Sequence, residues 1–166
     1  MPDAWLKGPL PGIPAALQPV AHALENTRIE LAGVLADATE EELWTRPFGA
    51  APVGFHVRHL CGSVDRLFTY ARGEALSPGQ LEVLADEKRP ETRMTPEALR
   101  RLVQQTLDAA FAQLSATAEP TLDEPRSVGR LRLPSTVRGL LFHAAEHGAR
   151  HTGQAVTTMK VVRSSR

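Results

Sequence analysis

Apolar residues recur every three to four positions along four stretches of this chain, and between them the pattern breaks on proline, glycine and charge. The first stretch runs from about 14 to 37, where Leu17, Val20, Ala21, Leu24, Ile29, Leu31, Val34 and Leu35 build one stripe. The second covers about 53 to 72 with Val57, Leu60, Val64, Leu67, Phe68 and Ala71, and stops at Gly73, a residue suited to the position just past a helix end. The third, about 95 to 117, opens with Thr95 as N-cap and Pro96 at the first helical position, then continues through Leu99, Leu102, Val103, Leu107, Ala110, Phe111 and Leu114. Ser135-Thr136 caps the fourth, about 136 to 162. All four are predicted to be helices.

The connections read differently. Thr39-Glu-Glu-Glu-Leu looks like a short capped turn, ended by Arg46-Pro47. Residues 74–93 are polar and interrupted by Pro78 and Pro90, which predicts a long loop with room for one helical turn. From Glu119 to Pro134 there are three prolines and a glycine; Gly129-Arg-Leu-Arg-Leu alternates like a strand but is too brief to build a sheet. The expectation is therefore an all-α protein, one four-helix-bundle domain over residues 1–166, with long connections after the second and third helices. The pattern leaves the bundle topology open.

Composition changes this picture little. Apolar and charged fractions of 42% and 23% are ordinary for a globular chain, and formal net charge is zero, so nothing argues for nucleic acid. The charge is uneven, however: from Arg126 onward eight Lys/Arg face one acid, Glu146. A lone cysteine, Cys61, excludes a disulfide within the chain. It falls about 200° around the helix from His59, on the packed side, where it acts as a small hydrophobe. The N-terminal residues lack the apolar run of a signal peptide, and no stretch reaches the roughly 18 apolar residues of a membrane span. A soluble, cytoplasmic protein with no membrane partner is expected.

The candidate chemistry lies in the histidines. Five of six fall in two clusters, His56-Val-Arg-His59 and His143-Ala-Ala-Glu-His147-Gly-Ala-Arg-His151; the sixth, His22, reads as an ordinary solvent-facing or hydrogen-bonded side chain. Neutral imidazole is the commonest metal ligand, and residues four apart share a helix face. His143 and His151 are about 12 Å apart along the axis, too far to share an ion with metal–nitrogen bonds of about 2 Å. Two of the three can act together, 143/147 or 147/151, and another helix must supply the third ligand. His59, sharing a polar face with His56, Ser63 and Arg66, is the candidate. On the fourth helix Ala144, Ala145, Gly148, Ala149 and Gly153 permit close approach. His143-Ala-Ala-Glu-His147 also fits the His-x-x-Glu-His pattern of inverzincin proteases, but no acid follows Glu146 to complete that site, which excludes it.

With these residues in place, the chain resembles the DinB/YfiT-like superfamily of four-helix metal-dependent proteins. The likeness rests on Gly54-Phe-His-Val-Arg-His59-Leu-Cys-Gly-Ser-Val-Asp-Arg-Leu and on the ending His151-Thr-Gly-Gln154. It implies that His59, His147 and His151 bind a divalent metal, with His56, His143, Ser63 and Gln154 lining or backing the pocket. Thr152 stands where the family often has arginine, and Arg150 where an aromatic residue is frequent. The resemblance further implies zinc or nickel foremost, with iron or manganese as alternatives, and a homodimer as one assembly. It implies a small-molecule substrate, a low-molecular-weight thiol or its conjugate among the options. The activity would be that of a hydrolase or thiol S-transferase; the alternative is a non-catalytic stress-related or binding protein that keeps the metal site.

Three imidazoles leave a coordination position open, as catalytic rather than structural sites do. Arg66 and Arg150 are the candidates for meeting an anionic group. Glu146 is a candidate general base, though it points about 100° away from His147 around the helix.

Overall fold

In a computed structural model, which describes residues 3–87, 89 and 93–165, the four long helices are α1 (Gln18–Leu35), α3 (Val53–Ala71), α5 (Pro96–Ala116) and α6 (Val137–Ser164). Between them lie the short α2 (Glu40–Trp44) and α4 (Pro78–Asp86) and the strands β1 (Pro125–Val128) and β2 (Leu133–Thr136). The long helices form a ring in which α6 packs on α3 and α1, and α5 packs on the same two from the other side. Consecutive long helices are therefore not always neighbours: the connections from α1 to α3 and from α5 to α6 cross the bundle ends, while that from α3 to α5 joins two packed helices.

The predicted stripes face inward. Leu17, Leu24 and Leu31 repeat at seven-residue spacing and are fully buried, as are Leu60, Leu99, Leu107, Leu114 and Leu141. Seven-residue repetition keeps one seam against its neighbours as helices cross at shallow angles. Thr95 accepts a hydrogen bond from the Ala98 amide and Thr136 from the Gly139 amide, so both predicted caps form.

Two connections differ from expectation. Residues 78–86 are a nine-residue helix, not a loop. Ser77 caps it, exchanging bonds with Gln80 in a capping box, and Pro78 sits at the first helical turn, where a missing N–H costs nothing. The helix buries none of its own side chains, so no apolar stripe marks it; Gln80 ties it to Asp65 and Thr69 of α3. The second correction is a β-hairpin: Pro125–Val128 pairs antiparallel with Leu133–Thr136, and Gly129-Arg-Leu-Arg132, which alternates like a strand, is its turn. Positive φ at Gly129 and Arg132 makes that reversal.

A close approach sets where α3 begins. Trp44, at the end of α2, lies flat over Gly54, where a Cβ would stand 2.7 Å from the ring, and its indole N–H donates to the Met94 carbonyl. Gly54→Ala must push this ring aside. A loss of about 1–3 kcal/mol is expected for such overpacking, read as a lower denaturation midpoint with unchanged far-ultraviolet circular dichroism.

Candidate metal centre

The tight pairing of α3 with α6 brings the two histidine clusters together. Alanine and glycine at 144, 145 and 148 are buried in that part of α6, while Ala149 and Gly153, also expected to ease helix approach, face solvent. Nε2 of His59 stands 3.0 Å from Nε2 of His147, and one ring nitrogen from each of His59, His147 and His151 falls within 4.8 Å of the other two. Nitrogens at about 2.0–2.1 Å from one tetrahedral ion stand roughly 3.3 Å apart. The cluster fits a divalent metal with a small inward adjustment.

What lies behind each ring matters as much. Nδ1 of His59 lies 2.8 Å from the Glu87 carboxylate, which can only accept when ionised, so Nδ1 is the donor and Nε2 is the nitrogen that faces His147. Nδ1 of His151 faces Nδ1 of His56 at 3.1 Å, so Nε2 is the nitrogen it has left. Phe55 stacks parallel to the His59 ring, with centroids 5.6 Å apart. Both α3 histidines are thereby used: His59 in the cluster, buried His56 behind His151.

Glu87 closes α4 and was hidden from sequence reasoning in a segment read as loop. It is buried, and its carboxylate also receives Arg66, whose Nη1 lies 2.6 Å from Oε1. Burial alone would raise the Glu87 pKa, but hydrogen bonds and charge from His59 and Arg66 outweigh it and hold the carboxyl below its usual range. Gly62 makes the approach feasible. A Cβ there would collide with the Glu87 carboxylate and stand 2.7 Å from Arg66 Nη1. The only legible hint was a glycine three residues past one histidine and four before an arginine, all on one side of a helix.

The remaining candidates are dispersed. Arg66 is buried against Glu87 instead of opening to a substrate. Glu146 pairs with Arg150 one turn on, and His143 Nδ1 lies 3.3 Å from the same carboxylate; all three form a surface cluster beside His147. Ser63 is half-buried on α3 and Gln154 exposed on α6. Thr152 turns away into α1, its hydroxyl donating to the Gly148 carbonyl beside Thr27. Burial pushes the Cys61 thiol up to about 12, against a hydrogen bond with Thr106, so it stays protonated. His22 bonds the Gly8 carbonyl.

Residues 23–155 match the family model described as the DinB superfamily. The chain is also similar to a solved structure described as a crystal structure of the conserved protein of locus from Enterococcus faecalis. The two are 22% identical over 89% of this chain and 97% of that one, with a TM-score of 0.62, a likeness of fold. No curated protein matches.

Burial, then the neighbouring charges of His59, His147 and His56, pushes the His151 pKa down to about 4; His147 and His56 shift the same way, burial leading. Between pH 6.5 and about 4 the unfolded chain therefore binds more protons at His151 than the folded one, and acid favours unfolding. The metal-free protein is expected to hold this part of its stability above pH 6.5 and to lose it progressively towards pH 4. Thermal melts in chelator from pH 7.5 to 4.5 should show a shallower decline for His151→Gln than for the wild type; parallel curves would remove His151 as a source.

Proposed function

The chain belongs to the DinB superfamily, and on that premise we propose that it is a metal-dependent enzyme whose His59, His147 and His151 hold one divalent ion, zinc or nickel foremost. The observation that carries the reading is the convergence of three imidazoles from two helices, two of them held from behind by Glu87 and His56. Surface histidines seldom have such backing; metal-ligating ones nearly always do.

When bound, a divalent ion supplies Lewis acidity suited to hydrolysis or to activation of a thiol. The protein supplies orientation. Glu87 fixes the His59 tautomer and ring plane, and Arg66 keeps that carboxylate ionised. The lowered pKa values of His147 and His151 leave their lone pairs unprotonated at neutrality. Three protein ligands leave a coordination position for a small molecule, a low-molecular-weight thiol or its conjugate in particular. A second reading, a binding protein without turnover, draws support from the two nearest acids. Glu87 is committed to His59 and Arg66, and Glu146 to Arg150 and His143, so neither stands ready as a base.

Protein supplemented with zinc, nickel, iron or manganese is expected to carry close to one ion per chain by elemental analysis and to lose it in His147→Ala. No uptake of any of the four metals would overturn the site. Glu87→Gln should keep the stoichiometry but weaken affinity about tenfold to hundredfold, measured by chelator competition. Metal-dependent turnover on a panel of thiol conjugates and amides then separates the readings: full occupancy without turnover selects the binding protein.

A further inference from the structure

A cavity of about 280 Å³ opens next to Phe55 and Glu87, the two residues in contact with the His59 ring. Trp44, Ala51, Pro52 and Phe55 give it an apolar floor, and four arginines, Arg46, Arg58, Arg89 and Arg93, line it with Glu87. Two of its walls touch the metal centre directly: Phe55 stacks on His59, and Glu87 takes the His59 Nδ1–H. We propose that this cavity seats the anionic group, carboxylate or phosphate, of a small-molecule substrate held next to the histidine cluster. The proposal rests on the metal-site reading and names the substrate class for it.

The charge balance supports an anion. Among the described residues that line the cavity Glu87 is the acid, and its carboxylate is already shared between His59 and Arg66. Asp86 pairs with Arg89 at 2.9 Å on a side chain that is still 61% exposed. Arg46 and Arg93 are exposed at the rim. An anion with two or three oxygens offers these two rim guanidinium groups acceptors for paired N–H donors.

The arrangement is also built into the fold. The Trp44 indole bond to the Met94 carbonyl pins the chain one residue after Arg93, and Arg46 follows Trp44 by two. The buried Glu87 pins the other end, two residues before Arg89. Three of the arginines thus take their places from two anchors, and Arg58 comes from α3 itself. The volume suits a headgroup of a few atoms and is at the small end for a whole ligand.

The test uses the full chain, with and without metal, titrated with inorganic phosphate and with succinate and followed by two-dimensional NMR and calorimetry. Expected is saturable, salt-sensitive binding of at least one probe, with amide shifts around Arg46, Phe55 and Arg93. In Arg46→Gln/Arg93→Gln affinity should fall about tenfold or more, the scale of one lost charge-assisted hydrogen bond, with metal content per chain unchanged. The stronger of the two probes tells phosphate from carboxylate. Lack of binding by either probe, or affinity unaltered in the double variant, overturns the proposal. So does binding that vanishes with the metal, since the anion then sits on the ion and the metal reading stands. Arginine-dependent binding by a chain that takes up no metal would retire the metal reading and keep the cavity.

Discussion

A carboxylate removed from water must be ringed by donors, and much of the site depends on how this chain meets that demand at Glu87. Its two oxygens take the His59 imidazole and the Arg66 guanidinium, both from α3. Breaking one partner from such a buried set costs far more than an exposed ion pair contributes. The set therefore fixes several things together: where α4 ends, how near that end lies to α3, why residue 62 has no side chain, and which nitrogen of His59 is available. The geometry of the histidine cluster is a consequence of a charge problem solved next door.

The site then has two layers with different origins. The imidazoles come from α3 and α6, whose positions follow from apolar packing along their lengths. Their orientation comes from polar side chains that add little to the core: Glu87 from the end of a surface helix and His56 from the turn before His59. Packing brings the rings within reach of each other, and hydrogen bonding turns them to face one point.

This division explains what could be read from the sequence. Helix periodicity located all four long helices, and helix rise alone showed that His143 and His151 cannot share an ion. The assignment of His59, His147 and His151 came from resemblance, and the structure brings those three together. Glu87 was not legible because nothing local distinguishes it from the acids around it; its role exists only once α4 folds back on α3. That helix was itself hidden, since it buries no side chain and opens on Pro78-Gly79, residues that signal a break except at a helix start. The hairpin was misread for a related reason: alternation over residues 129–133 imitates a strand, while the paired residues 125–128 and 133–136 carry prolines that argue against one. Arg66 was correctly placed on the histidine face, but a sequence cannot say that a buried partner already holds it.

His59 and His147 lie 88 residues apart in the chain and meet across the α3–α6 seam. During synthesis α3 and α4 emerge well before α6, so the Glu87 latch can set His59 while the other two imidazoles do not yet exist. Until α6 docks, the three-imidazole cluster does not exist, because His147 and His151 both belong to α6. On the proposed reading, tight capture waits on the α3–α6 seam, and metal content would count the chains in which that seam has formed. A chain in which α3 and α6 have not met has no such cluster to fill.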